Sequence, residues 1–466
     1  MSNFPRLMIS AAWKSSGKTM ITLGILRYIS NQGIAVSSFK KGPDYIDPMW
    51  HKLASGHECY NLDPYLMGEK VCRNSFQQHI IEDHTTLALV EGNHGLHDGV
   101  ALDGSDSSAG LAQLLDLPVL LVVDSRKTSR GVAALVMGMQ ALPPSVNVQG
   151  VILNHVKNAR QGEKQKKAIE HYCKVPVLGV IPFDSELILP ERHLGLTTVE
   201  ETFDAESFIQ RVADKVISCC DMPAIQELFY NAPFMEQQPV AHYVASQNKT
   251  ARIGVFRDAA FCFYYPENLR ALQSHGAELV FINSLESSSL PEVDALYLGG
   301  GFPESFFERL SANVGLLYDV RARVESGMPL YAECGGFIYL CKSAAYGGIT
   351  YSLAGVLPFD LQFDHKPAGH GYIDLRSSVD SVWFPQHTML KAHEFHYSRV
   401  ISPVEHGSYQ FDVLRGTGIT GKHDGALYRN LFASFAHLHV ASYPQWATRF
   451  VELAMVFRQS SCRFEI

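Results

Sequence analysis

Short apolar runs alternate with helical patterns along the first half of the chain. The runs that predict strands lie at residues 7–11, 36–40, 86–91, 119–124, 148–154 and 177–181. Strands separated by helices in this way pair in parallel, with helices covering both faces of the sheet. The pattern therefore predicts an α/β fold with a doubly wound parallel sheet.

The alternation stops and then restarts in the second half. Residues 203–228 have the periodicity that predicts a helix closing the first domain. The segment after them contains Ala-Pro, Gln-Gln-Pro and Ser-Gln-Asn, which are typical of a linker. Because 466 residues exceed what one core usually holds, we predict two domains, residues 1–229 and 251–466, with a linker over residues 230–250.

A cysteine follows a short apolar run in the second domain. Cys334 is followed by Gly335 and Gly336, which permit a sharp turn from strand to helix. Such a turn places a thiol beside backbone N–H groups and a helix N-terminus, which lowers its pKa and provides an oxyanion hole. A small buried cysteine beside a helix end gives the same local pattern, so the turn alone leaves both interpretations open.

Two other predicted strand ends supply partners for this thiol. Residues 293–298 run into three glycines, and Gly300 or Gly301 is predicted to donate an oxyanion N–H together with Gly335. Residues 431–436 lead to His437 and His439. A cysteine nucleophile needs a base that is adjacent in space and not necessarily in sequence.

These runs, Gly-Gly-Gly-Phe-Pro-Glu, Ala-Glu-Cys-Gly-Gly and Ser-Phe-Ala-His, resemble class I glutamine amidotransferases. More narrowly, they resemble the amidotransferase half of the corrinoid a,c-diamide synthases. The resemblance implies that Cys334 is the nucleophile and His437 its base. Many such glutaminases carry a glutamate two residues after the histidine, where this chain has His439. A third member of the site is therefore unassigned, and His439 is expected to be structural or orienting.

The first predicted strand leads into a loop that ends in Gly-Lys-Thr. At a strand–helix junction these residues are typical of a phosphate-binding loop, with Lys18 on the β/γ-phosphates and Thr19 on Mg²⁺. The loop is irregular because Ala12 occupies a position that is usually glycine. The loop residues predicted to bind ATP are Ser15, Ser16, Gly17, Lys18 and Thr19.

Acidic residues follow the second and third predicted strands, within Lys-Lys-Gly-Pro-Asp-Tyr-Ile-Asp-Pro and Glu-Gly-Asn-His-Gly-Leu-His-Asp-Gly. Both runs resemble signatures of the cobyrinic acid a,c-diamide synthases. Since the carboxyl ends of parallel strands share one edge, we expect the acids to lie together. Asp44 and Glu91 are predicted to hold Mg²⁺, while Asp47 and Asp98 orient the substrate or the ammonia route. For the first run, a solvated turn with an aspartate helix cap is the alternative.

Three further residues are assigned by resemblance. By analogy with dethiobiotin synthetase-type folds, Asn154 at the end of the fifth strand is expected to contact adenine. Arg192 and His193 lie in Leu-Pro-Glu-Arg-His-Leu-Gly-Leu, which also resembles the corrinoid family. They either pair with substrate carboxylates or fix a loop.

The resemblance covers nearly the whole chain and implies its fold and reaction. The expected fold is an N-terminal, dethiobiotin synthetase-like P-loop domain and a C-terminal class I glutamine amidotransferase α/β domain. In the implied reaction, MgATP phosphorylates a tetrapyrrole carboxylate, and ammonia released from glutamine attacks the acyl phosphate. The leading substrate is cobyrinic acid, amidated at its a and c acetates. The alternatives are sirohydrochlorin, its nickel complex or sirohaem and, in another class, a partitioning-type ATPase switch with an inactive glutaminase-like domain.

Charge and composition exclude several other partners. A net charge of −8 argues against a nucleic-acid surface. We find neither a signal peptide nor a long apolar run, so no membrane association is expected. The nine cysteines form no Cys-x-x-Cys pair, which favours reduced thiols in a cytoplasmic protein. The expected partners are glutamine and a tetrapyrrole polycarboxylate, and a homodimer stays open.

Overall fold

The computed structural model describes residues 4–187, 191–192, 195–236, 246–401 and 408–461, with backbone alone at 191–192 and 195–196. The chain divides into two compact units, Met1–His242 and Tyr243–Ile466. In the described part of the chain, no helix is long and apolar enough to cross a bilayer.

The first unit contains a parallel sheet and its covering helices. Its strands are β1 (Arg6–Ala11), β2 (Val36–Lys41), β3 (Cys59–Leu62), β4 (Leu87–Glu91), β5 (Val119–Asp124), β6 (Val148–Val156), β7 (Val177–Pro182), β8 (Glu191–Arg192) and β9 (Gly195–Leu196). Its helices are α1 (Lys18–Asn31), α2 (Ile46–Ser55), α3 (Pro64–Met67), α4 (Glu69–Glu82), α5 (Ser108–Leu114), α6 (Val132–Ala141), α7 (Ala159–Cys173), α8 (Ala205–Cys219) and α9 (Met222–Tyr230).

Seven strands pair in parallel in the order β3-β2-β4-β1-β5-β6-β7. Helices pack on both faces. On one face, Leu7 of β1 shares a core with Ile25 of α1 and Val212 of α8. On the other, the ring of Phe39 in β2 lies 4.9 Å from that of Phe76 in α4. The predicted doubly wound sheet is confirmed, and the carboxyl ends of its strands share one edge.

The helix predicted over residues 203–228 is wrong as a single element. The structure has α8 and α9 there, with Cys220 extended between them at φ −126° and ψ 151°. The Asp221 carboxylate accepts the N–H of Ala224 at 3.1 Å, and Pro223 lies in the first turn of α9. An aspartate cap followed by proline is a helix start that the periodicity did not resolve.

The second unit is a mixed α/β structure. Its strands are β10 (Ala251–Phe256), β11 (Ala277–Ile282), β12 (Ala295–Leu298), β13 (Leu330–Glu333), β14 (Ser343–Tyr346), β15 (Ile349–Ser352), β16 (Asp360–Phe363), β17 (Gly369–Ser377), β18 (Met389–His396), β19 (Ser398–Val400), β20 (Ser408–Arg415), β21 (His423–Tyr428) and β22 (Leu431–Ser434). Its helices are α10 (Pro266–Ser274), α11 (Phe307–Ala312), α12 (Val314–Glu325), α13 (Gly335–Leu340) and α14 (Gln445–Ser461).

Nine strands form the main sheet of this unit, in the order β11-β10-β12-β13-β22-β21-β20-β17-β18. The strands from β11 to β22 in that order pair in parallel, and the others pair antiparallel. A smaller sheet has the order β15-β14-β16-β19. The three strands that end in the predicted chemistry, β12, β13 and β22, are neighbours at the centre of the main sheet. Their ends therefore converge.

Candidate active sites

Cys334 occupies a strained turn between β13 and α13. Its backbone has φ 45° and ψ −96°, and its N–H donates to the Ser434 carbonyl at 2.7 Å. A non-glycine residue held in such a conformation costs free energy and is characteristic of functional turns. Close packing explains the glycines that follow, since a Cβ on Gly336 would lie 2.3 Å from the Leu298 carbonyl oxygen.

The glycines at the end of β12 border this turn. A Cβ on Gly335 would lie 3.1 Å from the Gly301 nitrogen, and a Cβ on Gly300 would lie 2.4 Å from Cε1 of His437. The Gly300 carbonyl accepts the N–H of Phe263 at 3.0 Å. The structure thus brings Gly300, Gly301, Gly335 and His437 together, and their oxyanion role stays a prediction.

His437 lies just beyond β22 and is buried. It pairs through backbone hydrogen bonds with His393 of β18, and the two rings stack with centroids 4.7 Å apart. Burial lowers the pKa of His437 to about 3 and raises that of the Cys334 thiol. Both groups are therefore neutral at rest, and the lowered thiol pKa expected from the turn is wrong, because burial outweighs the hydrogen bond from the Gly335 N–H. The neutral imidazole is the form that can accept a proton, but its low pKa means that the resulting ion pair needs further stabilisation.

Glu333 is a member of this site that the sequence analysis missed. Its Oε2 lies 3.9 Å from Nδ1 of His437. His439, in contrast, contacts other residues. Its Nδ1 accepts the N–H of Ala441 at 3.1 Å, and its Nε2 is 3.6 Å from Glu267. This capping geometry is consistent with the structural role expected of His439, which stays a prediction.

The phosphate loop in the first unit is fixed to strand β6. Ser15 and Gly17 adopt positive φ of 60° and 87°, and Gly17 precedes α1. The Asn154 amide donates to the Ser16 carbonyl at 2.9 Å, and a Cβ on Gly17 would lie 2.2 Å from that amide nitrogen. Asn154 therefore holds the loop, and its contact with adenine stays a prediction.

Lys18 is buried at the start of α1. Its Nζ donates to the His94 carbonyl at 2.5 Å. Burial, followed by the nearby charge of Lys40, lowers the pKa of Lys18 to about 8. A bound polyphosphate would favour the ammonium form, because opposite charges at close range stabilise each other.

Carboxylates and a second lysine form a buried network beside this loop. The Thr19 hydroxyl donates to Glu91 at 2.8 Å and lies 3.4 Å from Asp47. The Lys40 ammonium bridges the same two acids, at 2.5 Å from Asp47 and 2.9 Å from Glu91. Although burial alone would raise it, the charge of Lys40 and the hydrogen bond from His51 hold the pKa of Glu91 well below its ordinary value.

The other two predicted acids contact their own turns. One oxygen of Asp44 accepts the N–H groups of Ile46 and Asp47, at 2.9 and 3.0 Å, at the start of α2. Burial, then the charge of Asp47, raises the pKa of Asp44 to about 6. Asp98 accepts the N–H of Gly95 at 2.8 Å. Asp47 and Glu91 thus contact Thr19, whereas Asp44 and Asp98 accept backbone N–H groups of their own turns.

Two residues of this network, Lys40 and His51, had no predicted role. Lys40 lies in the Lys-Lys-Gly-Pro run, so its position at a strand end was an available signal.

Two predicted substrate residues are not placed: the Arg192 side chain and the whole of His193 lie outside the described residues. Within the described ranges, no group of three or more His, Cys, Asp or Glu side chains forms a metal site.

Family models match sequence ranges that contain both candidate sites. Residues 9–196 match the CobQ/CobB/MinD/ParA nucleotide binding domain, and residues 252–445 match the CobB/CobQ-like glutamine amidotransferase domain. The chain is 44% identical to a cobyrinate a,c-diamide synthase of Magnetococcus marinus, over 95% of this chain and 96% of that protein. It is 35% identical to the synthase of Methanothermobacter thermautotrophicus, over 97% and 100% of the two chains. The chain belongs to the cobyrinate a,c-diamide synthase family.

Proposed function

We propose that this protein uses ATP and glutamine to amidate the a and c acetate side chains of cobyrinic acid. One observation carries the proposal: a single chain contains both a phosphate loop with a lysine and a buried cysteine turn. That turn is bordered by the glycines that pack against His437. Full-length similarity to cobyrinate a,c-diamide synthases supports the choice of substrate.

In the second unit, the chemistry is glutamine hydrolysis. The Cys334 thiol transfers its proton to His437, and the sulfur attacks the side-chain amide carbon of glutamine. N–H groups of Gly301 and Gly335 would receive the negative charge that develops on oxygen, and the closeness of these two glycines supports that role. Ammonia leaves with the proton from His437, and water then hydrolyses the thioester to glutamate.

In the first unit, the chemistry is carboxylate activation. The terminal phosphoryl group of ATP passes to an acetate oxygen of the substrate, and ammonia displaces phosphate from the resulting acyl phosphate. A bare carboxylate resists ammonia because it is anionic and lacks a good leaving group. Lys18 would contact the β/γ-phosphates, and the N–H groups at the start of α1 add a favourable dipole.

The oxygen donors beside the loop fit a magnesium ion. The Thr19 hydroxyl lies 2.8 Å from a Glu91 oxygen and 3.4 Å from an Asp47 oxygen. Mg²⁺ prefers such oxygen ligands and keeps several waters, so few protein ligands suffice. These three residues would hold it directly or through water, and when bound it neutralises phosphate charge. Lys40 neutralises the same two acids.

A substrate panel tests the proposal. The protein is incubated with ATP, glutamine and either cobyrinic acid, sirohydrochlorin, its nickel complex or sirohaem, and the products are analysed by mass spectrometry. We expect cobyrinic acid to gain two amides in place of two hydroxyl groups. Preferred amidation of another macrocycle would overturn the substrate, and ATP cleavage without amidation of any would overturn the reaction.

A further inference from the structure

Glu333 occupies an unusual place for an acid. It is the last residue of β13 and directly precedes Cys334, yet its side chain is only 1% exposed. Because side chains alternate along a strand, it shares a face with Tyr331, which packs against Tyr297 and Trp446. Burial among these groups raises the pKa of Glu333 to about 8.

The carboxyl group is held by fixed donors. Oε1 accepts the N–H of Leu438 at 3.0 Å, and Oε2 lies 3.3 Å from the Tyr297 hydroxyl. Leu438 is the residue after His437, and its carbonyl accepts the Asn268 amide at 2.7 Å. Glu333 therefore fixes the backbone beside His437 as well as facing its ring.

We propose that Glu333 is the positioning residue for His437 in glutamine hydrolysis, acting through Nδ1 of the imidazole. Its Oε2 is 3.9 Å from that nitrogen, which is longer than a hydrogen bond but close enough for electrostatic attraction to a protonated ring. Nε2, on the opposite side of the ring, is then left to take the thiol proton of Cys334. The inference rests on the proposed function and assigns the third member of its glutaminase site.

The positive charge that forms on His437 during the reaction explains why an acidic side chain, Glu333, lies beside this ring. When the S–H bond of Cys334 breaks and Nε2 gains the proton, His437 becomes a buried imidazolium that water cannot stabilise. The one proton that moves in this step passes from the thiol sulfur to Nε2, while Nδ1 keeps its own. The Glu333 oxygen that faces Nδ1 is the negative end of the carboxyl group, so it lowers the energy of the cation.

Neighbouring buried histidines and acids of this unit have other recorded contacts. His393 stacks on His437, and burial lowers the pKa of His393 well below its ordinary value, so it adds no charge. Glu394 lies 3.5 Å from His396, and Glu267 lies 3.6 Å from His439. Glu267 therefore provides a matched control, since it is another buried glutamate beside a different histidine of the same unit.

The test compares Glu333→Gln with Glu267→Gln in the full chain. Both substitutions preserve size and remove one ionisable group. For Glu333→Gln we expect kcat of glutamine hydrolysis to fall about ten- to a hundredfold, a share of the roughly 10²–10⁴ that acid–base catalysis provides. KM for glutamine should change little, alkylation of Cys334 by iodoacetamide should slow in parallel, and ammonium-driven amidation should persist. Glu267→Gln should leave the hydrolysis rate within about threefold.

Several results would contradict the inference. If kcat of glutamine hydrolysis falls by the same factor in both variants, Glu333 does not position His437. The same conclusion follows if Glu333→Gln retains the wild-type kcat. If the wild-type protein releases no glutamate, the proposed function fails and the inference fails with it. Should Glu333→Gln not fold, nitrogen-15 NMR of histidine in the wild-type protein decides the matter, with His437→Asn identifying the signal. The proposal requires a protonated Nδ1 and a bare Nε2, and the opposite tautomer overturns it.

Discussion

The two candidate sites manage charge in opposite ways. The site in the first unit contains charges already paired: Lys40 is salt-bridged to Asp47 and Glu91, and His51 contacts Glu91. The side chains of the site in the second unit are buried, and burial shifts the pKa values of Cys334, His437 and Glu333 in the directions that favour their neutral forms. Each arrangement suits its chemistry.

The difference follows from what each reaction must stabilise. Phosphoryl transfer begins with a polyanion, so fixed charges must be present before ATP binds and must stay in place through the transition state. Thiol attack on an amide begins with neutral reactants and creates charge by moving one proton. We infer that substitutions in the first site alter its reaction mainly by changing the fixed charges. Substitutions in the second site alter its reaction mainly by changing where the transferred proton can bind.

The largest expected effect is loss of the sulfur nucleophile. Cys334→Ala should abolish glutamine-driven amidation while ammonium salts still support amide formation, because the synthetase site is untouched. Cys341→Ala is the matched control, since Cys341 is also a buried thiol near α13, with its S–H donated to the Phe337 carbonyl. Equal loss with both nitrogen sources, in a folded protein, would contradict the separation of the two sites.

Removal of the loop lysine should come next. Lys18→Ala takes away a preorganised cation and should lower amide formation by about 10²–10³ with either nitrogen source, a loss typical of one charge-stabilising group. Basal glutamine hydrolysis should continue. Lys14→Ala provides the control, because Lys14 is an exposed lysine of the same loop. If Lys14→Ala proves the more damaging change, the phosphate contact belongs to that residue.

Replacing Glu91, which contacts Thr19, Lys40 and His51, with a neutral residue should lower both the free energy of unfolding and the rate of ATP cleavage. Glu91→Gln leaves Lys40 and His51 without their shared carboxylate, and breaking a buried ion pair costs about 3 kcal/mol or more in free energy of unfolding. ATP cleavage and amide formation should fall together. Denaturant unfolding and phosphate release measure the two effects.

Asp44→Asn separates a cap from a metal ligand. Asparagine keeps a side-chain oxygen for the N–H groups of Ile46 and Asp47, so a capping role predicts a small loss of ATP cleavage. Asp47→Asn should be the more severe change, because Asp47 contacts Thr19 and Lys40. A greater loss in Asp44→Asn, with altered magnesium dependence, would restore Asp44 as the better metal candidate.

A further change tests the position of the His437 ring. In Gly300→Ala the new methyl would lie 2.4 Å from Cε1 of His437, so the ring must shift. We expect glutamine hydrolysis to fall about tenfold or more, as misplacement of a catalytic group costs rate, with ammonium-driven amidation unchanged. Gly138→Ala, where no atom lies within 4 Å of the added carbon, is the control.

Local sequence patterns predicted β1, β2, β4 to β7, β12, β13 and β22 and the two central motifs, because strand ends, glycine turns and a Gly-Lys-Thr run act over a few neighbouring residues. Strand β3 was missed because Cys-Tyr-Asn-Leu is short and not continuously apolar. The choice between Asp44 and Asp47 depends on which carboxylate the turn uses as its cap. Glu333 was missed because its partner, His437, is distant in sequence and is brought near only by the pairing of β13 with β22.

Isotope tracing tests the central claim that both sites act within one chain. The wild-type protein is given cobyrinic acid, ATP, glutamine labelled with nitrogen-15 at the side-chain amide, and unlabelled ammonium at a concentration too low to support amidation by the Cys334→Ala variant. The account predicts a diamide that carries nitrogen-15 at both new amides, with one ATP cleaved for each. A product that carries unlabelled nitrogen, or glutamine hydrolysis with no labelled amide, would contradict it.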